Sequence, residues 1–372
     1  MNLQLTGARP LAGAIASHDN GFNLVRLVCA LLVVVFHSWS MNLVQPGASD
    51  PVSRLLAPNT DLGSLAVGVF FLISGIFITQ SWVRDPHLLR FAVRRVARIV
   101  PGLFVCALLT TVLAVVFFSP GGWHGLLQGA TWRYVFGNST LHGLRYIIPP
   151  GELSVPGVLD GQPLNGSLWT LYWEGRMYVM VALLGLCAAL PLLTWLRGAA
   201  VVLLLAANLF PEVAAGYVWE VRMWSLFLCG MLIYTLGAEL RVGARHAACA
   251  LAFVALNATR WADLTPSPLT WFGIALVACT LALAAGTAAP RLRHLQRHDY
   301  SYGLYIYHWP VLLMLRAALP PLGPLATSTL AIAATGILAV LSWHWVEAPA
   351  QGLARRWLKR GLPVQARAPL SH

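Results

Sequence analysis

Arg26 and His37 stand eleven residues apart in VRLVCALLVVVFHSW, a stretch otherwise made almost wholly of apolar residues. On a helix that interval is about three turns plus 20°, so both side chains leave one face, about 16 Å apart along the axis. An ionisable group in hydrocarbon costs on the order of 2.5–3.5 kcal/mol and is normally found facing a cavity or a partner. The two groups are aimed at one interior, where an imidazole with one ring nitrogen held by a neighbour can accept a proton at the other. The plainer readings are an Arg26 that snorkels to the inner interface and a His37 hydrogen-bonded in a packed core.

Other ionisable residues sit in similar surroundings. Glu174, in NGSLWTLYWEGRMY, falls at a depth comparable with His37 and is expected to orient its ring. Arg176 is two positions further along and so points elsewhere on a helix. His308, in YSYGLYIYHWP, precedes Pro310, which removes a helix hydrogen bond and frees carbonyls nearby. In RFAVRRVARIVP, Arg90, Arg94 and Arg98 recur at intervals of four and form one guanidinium stripe, with Arg95 beside it. Such a stripe suits phosphate oxygens, although a topogenic signal alone would also collect arginines there. Glu347 ends the apolar run SWHWVEAP near the inner basic clusters, where a structural salt bridge explains it as well as a function does.

The elements that must position these groups are membrane helices. The chain has 372 residues, 58% hydrophobic and 10% charged, and a mean hydropathy of +0.68, which excludes an ordinary water-soluble domain. With about 20 apolar residues per span, the sequence predicts an all-α, polytopic helix bundle of about ten transmembrane helices. They are expected at 22–44, 62–82, 99–118, 168–190, 193–210, 221–240, 246–259, 269–289, 300–319 and 322–345. A cytoplasmic segment at 1–21, the transmembrane domain at 22–349 and a basic cytoplasmic tail at 350–372 complete the expected organisation. The N-terminus reads as a lead-in to a retained anchor, not a cleaved signal.

The net charge of +12 comes from 25 basic residues, 17 of them in expected inner segments against six in outer loops and two in spans. That asymmetry predicts both termini inside, and it explains the high isoelectric point without any nucleic acid. Six cysteines all fall in expected spans without metal or redox spacing, and read as small buried residues. Asn138-Ser-Thr and Asn165-Gly-Ser match glycosylation acceptors, a pattern frequent by chance. The long outer loop 119–167, rich in Gly and Pro, is expected to line or cover a site.

Taken in order, these segments resemble the membrane acyltransferase family 3, bacterial O-acyltransferases of surface and secreted glycans. Arg26 and His37 match its Arg, ten residues, His signature; FFLISGIFIT matches its Phe-Phe-x-x-Ser-Gly at Phe70, Phe71, Ser74 and Gly75. The arginine-rich element ending in proline, the element with Ser167, Trp169, Glu174 and Tyr178, and SYGLYIYHWP and SWHWVEAP continue the match from Asn23 to Pro349. It departs at Trp173 and at the intramembrane charge Arg176, and an acyl relay through the hydrolase-like domain of some relatives would need another protein.

The resemblance implies a bacterial inner-membrane O-acetyltransferase with acetyl-CoA or another acyl-CoA as a cytoplasmic donor substrate. No permanently bound cofactor or metal is required, because the thioester supplies the driving force. Arg90, Arg94, Arg95 and Arg98 would hold the donor's phosphates, with Ser74 and His308 also on the donor, and His37, Arg26 and Glu174 would be catalytic. The acceptor would be a sugar hydroxyl on a glycan or lipid-linked oligosaccharide, with polysaccharide assembly machinery as a possible partner. The competing reading is a proton-coupled transporter or flippase in which Arg26, His37, Glu174 and His308 form a relay. It leaves the arginine stripe and the ordered motifs unexplained.

Overall fold

The computed structural model describes residues 20–45, 47–56, 61–140, 163–187, 218–235 and 298–361, with Arg9, Pro10, Ile15, Arg241 and Val242. These residues are helical apart from turns and a two-residue antiparallel pairing of Arg9–Pro10 with Arg241–Val242. In chain order the helices are α1 (Phe22–Ser40), α2 (Pro51–Leu56), α3 (Leu62–Arg84), α4 (Leu88–Phe118), α5 (Gly129–Ser139), α6 (Trp169–Leu186), α7 (Val218–Thr235), α8 (Ser301–Ala318), α9 (Pro324–Ser342) and α10 (Ala348–Gly361). A π-helical turn, Trp343–Glu347, joins α9 to α10.

Among the described residues, four helical runs are long and apolar enough to cross a bilayer: Phe22–Ser40, Leu62–Arg84, Leu88–Phe118 and the continuous Pro324–Arg360. The chain is therefore an all-helical membrane protein. α6, α7 and α8 lie where further spans are expected, and the expected spans at 193–210, 246–259 and 269–289 fall outside the described residues.

Two boundaries differ from the sequence reading. α4 begins at Leu88, eleven residues before the expected span, so the arginine stripe and that span are one helix. The cause is local: the His87 ring accepts the Arg90 amide at 3.5 Å, and Asp85 pairs with both Arg90 and Arg94 across the first turn. The segment after Glu347, expected as a tail, continues as helix to Gly361.

Hydrocarbon offers no water to bond polar groups, and the helices satisfy their hydroxyls internally. Ser38 donates to the Val34 carbonyl, Thr79 to that of Gly75, Thr110 to that of Cys106 and Ser328 to that of Pro324, all at 2.6–2.8 Å. α3 starts on Asp61, whose Oδ1 accepts the Ser64 amide at 2.7 Å. It then runs through the middle of the bundle, with Leu72, Ile73 and Ile76 fully buried beside Leu103 of α4, Met177 of α6 and Phe227 of α7. Small residues set how close the backbones come. A Cβ at Gly75 would penetrate the Phe227 carbonyl, one at Gly230 the Leu72 carbonyl, and one at Gly303 would come within 2.8 Å of the Ala339 Cα.

Backbone contact between α3 and α7 gives a direct test. Gly75→Val should destabilise the protein by at least about 2 kcal/mol through overpacking, read as a lowered thermal-unfolding midpoint in detergent. Gly336→Ala, at a position facing open space, should leave that midpoint unchanged or slightly raised.

Candidate functional site

Pro310 lies inside α8 and cannot donate to the carbonyl four residues earlier. That carbonyl, on Ile306, is taken instead by Asn165 Nδ2 at 2.6 Å and Cys106 Sγ at 3.2 Å. The neighbouring Tyr305 carbonyl accepts from His308 Nδ1 at 2.6 Å and from Ser167 Oγ at 3.5 Å. The opened turn of α8 thus anchors the 3-10 turn Gly166–Leu168 and the start of α6. Both glycosylation-like asparagines are buried, Asn165 on α8 and Asn138 on the Tyr134 carbonyl, so neither side chain is available for that modification.

The same turn fixes the imidazoles. A carbonyl can only accept, so His308 Nδ1 carries a proton and its Nε2 a lone pair in the neutral ring. His37 Nδ1 lies 2.9 Å from that Nε2 and must donate to it. The His37 tautomer is therefore set, with Nε2 left as the ring's lone pair. The two rings lie in nearly parallel planes 22° apart, with Trp309 edge-on to His37 at 4.9 Å between centroids.

His37 lines a cavity of about 170 Å³ between α1, α3, α7 and the start of α6. Gly63, Ser64 and Gly68 give α3 a low profile there, and Ser167, Trp169 and Arg222 supply polar and aromatic surface. Arg222, on α7, is part of this wall.

Behind Val67 and Tyr305 lies a smaller cavity of about 50 Å³, lined by Arg26, Ser74, Glu174, Ser301 and Tyr302 among others. Val67 and Tyr305 line both cavities, and Tyr305 is fixed by donating to the Ser167 carbonyl at 2.9 Å and by a 2.6 Å contact with Thr170 Oγ1. The expectation that Arg26 and His37 share a face holds, but they open into successive chambers. Glu174 belongs with Arg26: its Oε1 accepts from Tyr178 Oη, and from Ser74 Oγ at 3.4 Å. The ring partner of His37 is His308 and not Glu174, because α8 reaches the depth of His37 while Glu174 lies further along α6. His308, expected at the donor, is buried behind His37. Arg176 turns away over the Tyr172 and Trp173 rings, 4.4 and 5.1 Å from their centroids.

Below the second chamber sits Asp299, which the sequence reading did not single out. Its Oδ2 meets Arg26 at 3.2 Å and Arg98 at 2.5 Å, and its Oδ1 accepts from the Ser301 hydroxyl and amide at the start of α8. Burial alone would raise this carboxyl, but Arg98 and Arg26, with Ser301, hold it well below the usual carboxylate range. The acid stands next to a histidine and a tyrosine in RHDYSYG, and an acid just ahead of an apolar run was the available signal.

The arginine stripe divides among partners. Arg90 Nε and Arg94 are 3.1 and 2.6 Å from Asp85, Arg98 is on Asp299, and Arg95 lies over the Phe91 and Tyr178 rings. Arg95 Nε and Arg26 Nε are buried with no hydrogen-bond partner among the described residues. Glu347 is buried against Gly102, with Oε1 accepting from Ser342 Oγ at 2.8 Å and no ion pair among the described residues.

Residues 19–345 match the family described as an acyltransferase domain. The chain is 29% identical to nodulation protein 10 of Rhizobium leguminosarum bv. viciae, covering 94% of this chain and 98% of that protein. It is 26% identical to an O-acetyl transferase of Shigella phage Sf6, covering 93% of this chain and 98% of that one. No solved structure matches.

Two outcomes are expected. In ¹⁵N-histidine spectra His37 should be protonated at Nδ1, and His308→Phe, which removes the acceptor, should shift the proton toward Nε2; an unchanged tautomer would break the relay. Asp299→Asn should cost about 3 kcal/mol, because two guanidiniums lose a buried partner. Because the Asp299 pKa is depressed, its contribution is complete above about pH 4 and fades only as pH falls toward the folded value, which acid titration of wild type and variant would check.

Proposed function

The chain belongs to the acyltransferase family, and from that premise we propose that it is a membrane O-acetyltransferase. It moves an acetyl group from acetyl-CoA or a related acyl-CoA to a sugar hydroxyl of a cell-surface polysaccharide, exopolysaccharide or lipid-linked precursor. The phage relative's name, O-acetyl transferase, supports the acyl group and the oxygen acceptor. The observation that carries the reading is the relay from the Tyr305 carbonyl through His308 to His37, which leaves a lone pair on His37 Nε2 in the larger cavity.

The acceptor occupies the chamber with His37, where the Trp169 ring and serine hydroxyls suit a sugar. Nucleotide phosphates of the donor meet Arg94 and Arg95 at the start of α4, and the pantetheine arm brings the thioester past Asp299 toward Arg26 and Ser74. His37 Nε2 takes the hydroxyl proton as the alcohol oxygen attacks the thioester carbonyl. Arg26 stabilises the negative charge that develops on the thioester carbonyl oxygen. Collapse breaks the carbon–sulfur bond and the thiolate leaves toward its own chamber, where it takes up a proton from water, while His37 Nε2 releases to water the proton it took and returns to the neutral ring. The products are an ester and free coenzyme A thiol. For the two reactants to meet, the Tyr305 side chain must move from its place between the chambers.

The basic residues support an inner-membrane setting with both termini cytoplasmic, since the arginine end of α4 is then the end from which acyl-CoA arrives.

With radiolabelled acetyl-CoA and membranes containing the acceptor, His37→Ala should lower label transfer at least about 10³-fold while the protein still inserts. Transfer at the wild-type rate would remove His37 from catalysis. Arg94→Gln and Arg95→Gln should each raise the KM for acyl-CoA about tenfold through loss of charge-assisted bonds, with smaller changes in kcat.

A further inference from the structure

α10 is an amphipathic helix beyond the last span, and the proposed chemistry does not use it. The helical run Pro324–Arg360 has 37 residues, about 55 Å at 1.5 Å per residue, whereas a bilayer is about 30 Å of hydrocarbon within about 40–45 Å overall. Held upright, the run would carry its final turns past the headgroups into water. Those turns are unsuited to water: Leu353 is 65% and Trp357 51% exposed.

Its faces are ordered. Leu358 is buried on the side packed against α4, below Glu347, which abuts Gly102. At about 100° per residue, Leu353 and Trp357 lie within about 40° of each other, and the α4 seam follows on one side. On their other flank, within about 60° of Leu353, come Arg356 and Arg360. Arg355 and Lys359 point further round, away from the apolar strip. α10 has no acidic residue, and its four cations make no ion pair among the described residues.

We propose that α10 lies in the membrane interface and binds anionic phospholipid headgroups, with Leu353 and Trp357 inserted among acyl chains and Arg356 and Arg360 on the phosphates. A free phosphate would satisfy the guanidiniums but leave the leucine and tryptophan in water. A lipid surface offers both chemistries at the spacing the helix presents. Because α10 packs along α4, its docking also steadies the helix that carries Arg90 to Arg98.

The full chain, one copy per nanodisc, is compared in phosphatidylcholine and in phosphatidylcholine with about one third phosphatidylglycerol by hydrogen exchange over residues 348–361. Exchange should slow about tenfold in the anionic discs and speed up again at high salt. Arg356→Gln with Arg360→Gln should abolish the difference, whereas Arg355→Gln with Lys359→Gln should retain most of it. Leu353→Ser with Trp357→Ser should speed exchange in both lipids. Equal exchange in the two discs, equal effects of the two cation pairs, or the same slowing from inorganic phosphate in neutral discs would each overturn the proposal. None of these readouts depends on acyl transfer.

Discussion

A carbonyl without a donor is among the costliest things a membrane protein can bury, and Pro310 creates one at Ile306. The repair organises the site. Asn165 and Cys106 reach in to satisfy Ile306, and Ser167 and His308 converge on the adjacent Tyr305 carbonyl. One missing amide thereby draws together α4, α8 and the start of α6. The adjacent Tyr305 carbonyl decides which nitrogen of His308 is protonated, and through it which nitrogen of His37 is free. The tautomer of the imidazole facing the larger cavity follows from a backbone carbonyl three residues from its partner.

Electrostatics organises the other end of the bundle in the same economical way. Asp299 joins Arg26 of α1 to Arg98 of α4 while holding the first turn of α8 through Ser301. Three helices are tied at one carboxylate. Asp85 does a similar task at the start of α4 with Arg90 and Arg94. The arginine stripe is therefore ordered by acids at both ends, leaving Arg95 aligned against aromatic rings between them. Guanidiniums spaced by fixed carboxylates hold their geometry before any anionic ligand arrives, which reduces the ordering a ligand must supply.

The helical membrane fold was legible from composition and from runs of apolar residues, and the common face of Arg26 and His37 from their spacing alone. Periodicity within one helix is a local property, and it survived. Pairings between helices were not legible. Glu174 was placed beside His37 by depth and His308 with the donor, but depth does not tell which helix is adjacent, and α8 rather than α6 proved to be the neighbour. Asp299 escaped notice because its importance comes from two arginines 273 and 201 residues away. Likewise α4 was drawn too short, since an apolar window stops at the arginines while Asp85 and His87 let the backbone carry on.

The two cavities stand end to end and share Tyr305, whose hydroxyl is bonded to the Ser167 carbonyl and held against Thr170. An hourglass with its waist closed has a bearing on permeability. Were these two chambers continuous across a bilayer, they would give protons and ions a path through it. Among the described residues Tyr305 and Val67 stand at the boundary between the chambers, so in the proposed reaction a passage would exist only while Tyr305 is displaced and the reactants themselves fill the gap.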